Sequence, residues 1–447
     1  MRLVRGGCLG LLLLLLIGYG VVVSLPVRRD GAQVEEALAK ARQRTESIAS
    51  RLKDPAQNGF LQPTLEPYWG RGWDNAGPVK DAIKAWTAYS YQEQNKPVQH
   101  HPLLVSKDPA YAAARAGFEA YVPDLVHAFS KPIFQPVVAD MIDPSAQLQE
   151  SAFTSLTLAL NVSAESLFAQ GQPGRAALFY QLGFMEGQKT YQNVGLPQLM
   201  RAVSLQGLTF QSMVAYLGPD AKLSEKEWIG MSAVVAASCP TPVTVGQSIE
   251  NDLAFGTEFL NRPRGSYEGD AKPLRGLFLL PGARARELRI YQNYMAEVLP
   301  GVATMRIAVG PPGATLFDTL SGKSGPGLRL LVVDYQRQVA RLTVHMAKMT
   351  GLSAMGGVCA YRVRHGKPPA ALGDLDTLGL KAPGGAAWSE VAKNLGYSVV
   401  DDRAELLVPI NPAVYEAAGL NPEAARLIEE HNSRYFSIRK EGALFRI

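Results

Sequence analysis

One apolar stretch near the start of the sequence most constrains how this chain folds. Residues 8–25 read CLGLLLLLLIGYGVVVSL, and residues 6–27 carry no charge. A hydrocarbon core of ~30 Å is crossed by roughly 20 apolar residues in an α-helix, so the stretch has the length of a membrane span. The sequence therefore predicts a transmembrane signal-anchor within residues 1–27, with the lipid bilayer as its partner. The predicted membrane-anchor residues are Leu11, Leu14, Ile17 and Val22.

A cleaved secretory signal peptide is the alternative interpretation of the same stretch. Val22-Val23-Ser24 offers a cleavage site, although valines stand where small residues are usual. Arginines flank both ends of the stretch, so the charge bias does not by itself orient it. A short tail before the stretch and a large polar domain after it favour export. We therefore expect a single-pass membrane protein with its soluble domain on the periplasmic side.

The charge distribution argues against a nucleic-acid partner. The net charge is +5, with 45 Lys and Arg against 40 Asp and Glu. Arg2, Arg5, Arg28 and Arg29 flank the apolar stretch, and residues 1–29 contain no acid, so the rest of the chain is almost neutral. This composition does not predict a basic surface for phosphate backbones.

Apolar residues recur at helical spacing through most of the chain. Residues 31–53 form one amphipathic segment, and Ser224 with Glu227 has the sequence of a helix capping box. Two further helices are predicted to join at residues 170–174. In that pair, the spacing of Leu167, Gly171, Ala176 and Tyr180 resembles one tetratricopeptide-type helix pair. The resemblance implies an antiparallel helix hairpin.

The end of the chain has a different character. GYSVVDDRAELLV predicts a β-hairpin around Asp401-Asp402, and RYFSIRKEGALFRI predicts a second that turns at residues 440–442. Between them, Asn421 is expected to cap a helix that carries Leu427 and Ile428.

The predicted fold class is mainly α. It combines an N-terminal transmembrane helix, a body of helix hairpins and a small C-terminal α+β unit with short hairpins. The predicted domains are residues 1–27 (signal-anchor), 28–308 (helical domain), 309–327 (flexible Gly- and Pro-rich break), 328–380 (long helix and turn) and 381–447 (small α+β unit).

The sequence does not contain a complete motif of the well-known active sites considered below. Gly322-Lys323-Ser324 matches part of a phosphate-binding loop, but Phe317 occupies the position that requires glycine. The sequence contains neither a His-Glu-x-x-His zinc motif nor a Gly-x-Ser-x-Gly nucleophile elbow. We therefore assign no catalytic, cofactor-binding or metal-binding residue and expect no cofactor.

Several residues that could take part in catalysis have a simpler structural interpretation. Glu250 and Glu258 could share a helix face, with Asp252 nearby, and paired carboxyl groups can act in general acid–base catalysis. A solvent-exposed helix face is the favoured interpretation. His345 is expected to be a core or boundary histidine. Cys239 and Cys359 are expected to be buried free thiols.

One motif stands out in AYRVRHGKPPAALGDLDTLGL, residues 360–380. A glycine after a helix takes the left-handed cap conformation easily, and the following prolines prevent the helix from continuing. Leucines are then expected to pack the next segment against the helix. The predicted structural turn comprises Tyr361, Gly366, Pro368, Pro369 and Leu372.

This motif resembles the helix-to-sheet passage of bacterial type II secretion pseudopilins and of many exported, membrane-anchored bacterial helical proteins. Those also run from Tyr-Arg through a Gly-x-x-Pro turn to a Leu-rich segment and hairpins. The resemblance covers at most residues 340–447 and implies a shared fold fragment. It differs in that a pseudopilin helix begins with its own peptidase-processed membrane segment, whereas the apolar stretch here lies far upstream.

The leading functional hypothesis is a membrane-anchored scaffold or interaction protein of the cell envelope, without catalytic activity. The anchor, the helix hairpins and the missing catalytic motifs motivate it. An envelope hydrolase whose site assembles from scattered residues is one alternative. An accessory protein of a secretion or pilus apparatus is the other, and it depends on the turn motif.

Overall fold

A computed structural model describes residues 31–63, 109–135, 144–190, 194–263, 272, 274–277, 279, 282–302, 334–423, 433 and 435–447. The predicted anchor residues Leu11, Leu14, Ile17 and Val22 lie outside these described residues, as does the predicted break at 309–327. The described residues belong to two compact units. The first unit takes residues from Met1–Thr45 and Pro242–Val339, and the second from Glu46–Thr241 and Ala340–Ile447.

The described part of the chain is mostly helical and ends in a small antiparallel sheet, as the sequence predicts. The helices are α1 Gly31–Leu52, α2 Pro109–Glu119, α3 Val122–Ser130, α4 Pro144–Ala169, α5 Pro173–Thr190, α6 Leu196–Tyr216, α7 Glu225–Ser238, α8 Pro242–Asn261, α9 Leu274–Leu277, α10 Ala283–Val302, α11 Tyr335–His365, α12 Trp388–Val391 and α13 Pro412–Ala418. Short 3-10 helices occupy Gly59–Leu61, Leu372–Leu378, Pro383–Gly385 and Ala392–Asn394. The strands are β1 Gly396–Val400, β2 Arg403–Pro409, β3 Phe436–Arg439 and β4 Gly442–Arg446.

One stretch of the described residues, Glu225–Asn261, is long and apolar enough to cross a membrane by length and composition alone. It comprises α7 and α8, with Pro240 between them and Pro242 at the start of α8. The core helices of water-soluble proteins meet the same criterion. Trp228, Met231 and Val235 of α7 are buried within the second unit, so the apolar face of this helix already packs against protein.

The first unit contains the acidic residues that the sequence singled out. Glu250 Oε2 lies 2.7 Å from Arg44 Nη2, so its charge is paired. Asp252 is buried, and its carboxylate accepts a hydrogen bond of 3.2 Å from Tyr335 Oη. Glu258 is exposed. The three residues therefore have separate surroundings and do not form an acid–base pair.

In the second unit, α4 and α5 form the predicted helix hairpin, and α6 packs against both. The close approach of α5 and α6 requires glycine. A Cβ at Gly183 would lie 2.7 Å from Thr209 Oγ1, and a Cβ at Gly187 would lie 2.5 Å from Gln206 Cγ.

Asn58 joins three segments of the second unit at a fully buried position. Its Nδ2 donates to the carbonyl oxygens of Leu52 (2.8 Å) and Gln135 (2.7 Å). Its Oδ1 accepts from the backbone N–H groups of Phe60 (3.1 Å) and Gln135 (3.2 Å). The amide thus has a partner for both hydrogens and for its oxygen, which makes its burial favourable.

The two predicted hairpins form one antiparallel sheet with strand order β1-β2-β4-β3. Asp401 and Asp402 connect β1 to β2, with φ of 49° and 61°. Positive φ at both central residues is the mark of the type I′ turn, whose twist suits a two-residue hairpin. Helix α13 was not predicted from the sequence; Asn411 caps it by accepting from Ala413 N at 3.0 Å. The predicted helix with Leu427 and Ile428 lies outside the described residues.

The sheet packs against α6 and α11. The ring of Phe210 on α6 lies 4.8 Å from Phe436 and 6.4 Å from Phe445, measured between ring centroids. A Cβ at Gly351 of α11 would lie 1.9 Å from the Phe445 ring, so only glycine admits that ring. The sheet therefore belongs to the main core of the second unit.

Candidate functional site

The predicted structural turn adopts the geometry that its sequence suggests. Gly366 has φ of 75°, and its N–H donates to the carbonyl oxygen of Arg362 at 2.8 Å. Pro368, Pro369 and Leu372 are buried. The Tyr361 ring lies 4.1 Å from that of His365 at the end of α11. These residues have local packing roles, and the polar groups with unusual surroundings lie on the helices.

Helix α4 carries a row of polar residues along one side. Thr157, Asn161 and Glu165 follow one another at steps of four, which places them along one side of the helix. Thr157 and Asn161 are buried, and Glu165 is half-buried. The row faces α5 and α6, because Thr157 bonds to α5 and Glu165 bonds to α6.

Glu165 forms a hydrogen-bonded chain with residues of both neighbouring helices. Ser212 Oγ on α6 donates to Glu165 Oε1 at 2.6 Å. Tyr180 Oη on α5 lies 3.1 Å from Ser212 Oγ. Since the one proton of Ser212 goes to the carboxylate, Tyr180 donates to Ser212 when Glu165 is ionised. Tyr216 is one helical turn beyond Ser212, and we name these four residues the Glu165 cluster.

The electrostatics of the Glu165 cluster disfavour the ionised form of its carboxyl group. Burial raises the pKa of Glu165 to about 7, and the hydrogen bond from Ser212 only partly offsets this. Burial, and secondarily the charge of Glu165, also raises the pKa of Tyr180 and Tyr216. Among the described residues, none supplies a positive charge that lowers the pKa of Glu165. The carboxyl group is thus desolvated without a counter-charge.

A second glutamate of the hairpin, Glu186 on α5, is fully buried. Its Oε2 accepts from Thr157 Oγ1 at 2.7 Å, and its Oε1 has no hydrogen-bond partner among the described residues. Burial raises the pKa of Glu186 well above its usual range. Burial therefore favours the protonated form of Glu186, and this residue, unlike Glu165, is closed off from solvent.

His345 on α11 is a buried core histidine, as the sequence predicts. It lies 2.9 Å from Gln206 Oε1, and Gln206 Nε2 donates to the carbonyl oxygen of Ser238 at 2.8 Å. Burial, together with the charge of Lys348, lowers the pKa of His345 to about 3. The imidazole is neutral at physiological pH and joins α6 to α11.

The cysteines also match their predicted state. Cys239 and Cys359 are both free and buried. Burial raises the pKa of each thiol to about 12, so neither is a reactive thiolate at neutral pH.

The Glu165 cluster is the most distinctive chemical feature of the described residues. It presents a half-buried carboxyl group with one oxygen bonded to a serine and tyrosines beside it. No set of three or more His, Cys, Asp or Glu residues in the described ranges has the arrangement of a metal site. This cluster was not predicted from the sequence, where the only signal is the recurrence of Thr157, Asn161 and Glu165 every four positions in α4.

Comparison with known proteins adds no further identification: no protein-family model, curated protein or solved structure matches this chain.

Proposed function

We propose that this chain is a membrane-anchored interaction protein of the cell envelope that binds a partner at the Glu165 cluster. One observation carries the proposal: a half-buried carboxyl group without a counter-charge among the described residues. Burial disfavours the ionised form of a carboxyl group that has no counter-charge, and its pKa rises as a result. Carboxyl groups with pKa values perturbed in this way cluster at functional sites, which supports a binding role for Glu165.

The other residues of the cluster suit binding better than group transfer. Ser212 Oγ uses its proton to bond Glu165 and lies against Tyr180, so it is held as a hydrogen-bonding group. An activated serine needs a base that removes its proton and a third group that orients that base. The cluster supplies a carboxyl group and two phenols instead.

The proposed anchor is the apolar stretch over residues 6–27, with Leu11, Leu14, Ile17 and Val22 in its interior. Its length and lack of charge support this part of the proposal. Carbonate washing should leave the full chain in the membrane pellet, and deletion of residues 1–27 should release it. A mature protein that starts at Leu25 would instead identify a cleaved signal peptide.

Affinity capture from detergent-solubilised membranes tests the binding function. The full chain, its Glu165→Gln variant and a Glu258→Gln control are each used as bait; Glu258 is an exposed glutamate outside the cluster. We expect the parent and the control to retain the same partner, and Glu165→Gln to lose it with unchanged thermal unfolding. Equal capture by all three baits would overturn the proposal.

A hydrolase is the second candidate, favoured by the pKa of Glu165 at about 7. A carboxyl group with a pKa near the working pH serves well as a general acid or base. On this alternative, the full chain hydrolyses ester, amide or glycoside model substrates. The rate would change around pH 7 and would be lost in Glu165→Gln but kept in Glu258→Gln.

A further inference from the structure

We propose that β1 is a docking edge at which two copies of this chain pair antiparallel, so that their sheets join into one. The inference goes beyond the Glu165 cluster and concerns a different surface of the second unit. Three features of β1 support it: its open hydrogen-bonding edge, the apolar side chains exposed on it and the self-complementary order of its residues.

The first feature is the open edge. β1 ends the sheet, and among the described residues only β2 pairs with it. Ala404 of β2 exchanges both backbone hydrogen bonds with Ile447, at 2.8 and 2.7 Å, so its N–H and C=O point away from β1. Val399 lies opposite Ala404 and therefore forms a non-hydrogen-bonded pair with it. The N–H and C=O of Val399, and by the same alternation those of Tyr397, point to the open edge.

The edge is already held in an extended conformation. Tyr397 Oη donates to the carbonyl oxygen of Pro369 at 2.9 Å, which fixes β1 to the segment that follows α11. A strand that is ordered before binding loses little conformational entropy when another strand pairs with it. Natural sheets protect exposed edges with charged residues or proline, and Gly396–Val400 contains neither.

The second feature is the exposure of apolar side chains. The exposed fraction is 39% for Val399 and 66% for Val400. Because these residues are consecutive in a strand, they lie on opposite faces of the sheet. The other edge strand, β3, is buried from Phe436 to Ile438. Of the two edge strands, β1 is therefore the one suited to pair with another chain.

The third feature is the order of the residues. In an antiparallel pair centred on Ser398, Tyr397 of each copy lies opposite Val399 of the other. The backbone groups of these two residues are the ones that point to the edge, so they form the hydrogen-bonded pairs. An aromatic residue opposite a β-branched one is a favourable cross-strand pair. Val400 lies opposite Gly396 of the second copy, where the absence of a side chain leaves room for the valine.

The charges beside β1 identify the occupant as a second copy in the antiparallel orientation. Asp401 and Asp402 follow the strand, Lys393 precedes it by three residues, and all three are exposed. Antiparallel pairing brings the acidic end of one copy beside the lysine end of the other, and the two-fold symmetry repeats this contact. Parallel pairing would instead bring the acidic ends together.

Sedimentation equilibrium of the full chain in density-matched detergent tests the pairing. Val399→Pro removes a backbone donor that points to the edge and leaves the bonds between β1 and β2 intact. Each dimer then lacks two hydrogen bonds, so its dissociation constant should rise about 10-fold or more. Val126→Lys is the control, because Val126 is an exposed valine on α3 of the same unit, and it should associate like the parent.

The charges are tested in the same way. Lys393→Glu places a third acidic residue beside the acidic end of the second copy and should weaken the dimer. The parent dimer should also weaken as the salt concentration rises, because the charges are exposed and salt screens them.

A disulfide bond tests the register. Ser398→Cys is made in a Cys8→Ser background, in which Cys239 and Cys359 are buried. The two Ser398 residues form a non-hydrogen-bonded pair with Cα atoms ~4.5 Å apart, which a disulfide can bridge. Mild oxidation should therefore give a linked dimer. Glu405→Cys is the matched control: Glu405 lies opposite Ser398 in β2, so the two copies of this residue are about three strand spacings, ~14 Å, apart.

The two approaches together keep the inference falsifiable. Ser398→Cys retains the strand, so it remains informative if Val399→Pro fails to fold. A monomeric parent, undiminished association of folded Val399→Pro, or equal cross-linking of Ser398→Cys and Glu405→Cys would each overturn the inference. If Val399→Pro loses capture of a different protein while the parent is monomeric, the edge binds an extended segment of that protein and self-pairing is wrong.

Discussion

At the scale of single residues, the α4–α5 hairpin holds two glutamates in different states. Glu186 is sealed in the core beside Thr157, whereas Glu165 keeps contact with solvent beside Ser212. Burial raises the pKa of both groups. The carboxyl group of Glu186 acts as a buried hydrogen-bond acceptor, and that of Glu165 is able to ionise near pH 7.

Replacement of Glu186 by glutamine tests its neutral state. In the unfolded chain this carboxyl group ionises near its ordinary pKa of 4.5, whereas in the folded chain it retains its proton to a much higher pH. The unfolded state therefore binds fewer protons at neutral pH, and Glu186 makes stability fall as the pH rises from about 4.5 toward the folded pKa. Glu186→Gln should remove this loss, so its free energy of unfolding should exceed that of the parent more at about pH 8 than at about pH 5.

Urea unfolding at the two pH values measures this effect. Glu416→Gln is the matched control, because Glu416 is exposed in the same unit. A pH dependence that is the same in Glu186→Gln and the parent would show that Glu186 does not titrate differently on folding.

At the scale of elements, residues close in sequence determine where the helices and strands end. Ser224 Oγ accepts from Glu227 N at 3.3 Å, and Glu227 Oε2 accepts from Ser224 N at 2.7 Å, which completes the capping box before α7. Asp401 and Asp402 turn the chain between β1 and β2. Gly366 ends α11 in the left-handed conformation. In each case the residues that decide the geometry are neighbours in sequence.

The turn after α11 makes a prediction about stability. Gly366→Val should destabilise the protein by about 1–2 kcal/mol or more, because a side chain is strained at this positive φ even though space is available. Leu372→Ala should cost on the order of 2–5 kcal/mol, because Leu372 is buried. Lys367→Ala, at an exposed position, should leave stability unchanged.

Thermal unfolding of the three variants tests the structural role of this turn. If Gly366→Val and Leu372→Ala unfold like the parent, the turn does not stabilise the fold and should be examined as a contact surface. A loss of partner capture in Lys367→Ala with unchanged stability would point in the same direction.

At the scale of the whole molecule, the second unit combines segments that are far apart in sequence. Gln206 bonds His345, and Ser232 Oγ donates to the carbonyl oxygen of Ser353 at 2.8 Å. Phe210 packs against Phe445. The sequence-based domain boundaries remain predictions, but segments before and after the predicted break at 309–327 share this core.

This shared core predicts that the first part of the chain does not fold alone. A chain that ends at residue 333 loses α11 and the sheet, and with them the partners of Gln206, Phe210 and Ser232. It should show no cooperative urea transition and should bind a hydrophobic dye. As the control, a chain cleaved at a protease site inserted within 309–327 should keep both fragments together. Cooperative unfolding of the truncated chain would contradict the shared core.

The sequence by itself determined the features that depend on near neighbours. The helix hairpin, the capping box at Ser224, the left-handed Gly366 and the turn at Asp401-Asp402 were all predicted, because backbone preferences and short-range hydrogen bonds fix them. Burial of His345, Cys239 and Cys359 was predicted as well, since apolar surroundings in sequence indicate a buried helix face.

Only the tertiary structure decided the candidate site. Glu165 and Ser212 are 47 residues apart, and nothing local in either helix indicates that they meet. Their contact depends on how α4, α5 and α6 pack together, and the close approach of α5 to α6 requires Gly183 and Gly187. The raised pKa of Glu165 follows from the same burial. A carboxyl group acquires its chemistry from the groups around it, and those groups come together only when the helices pack.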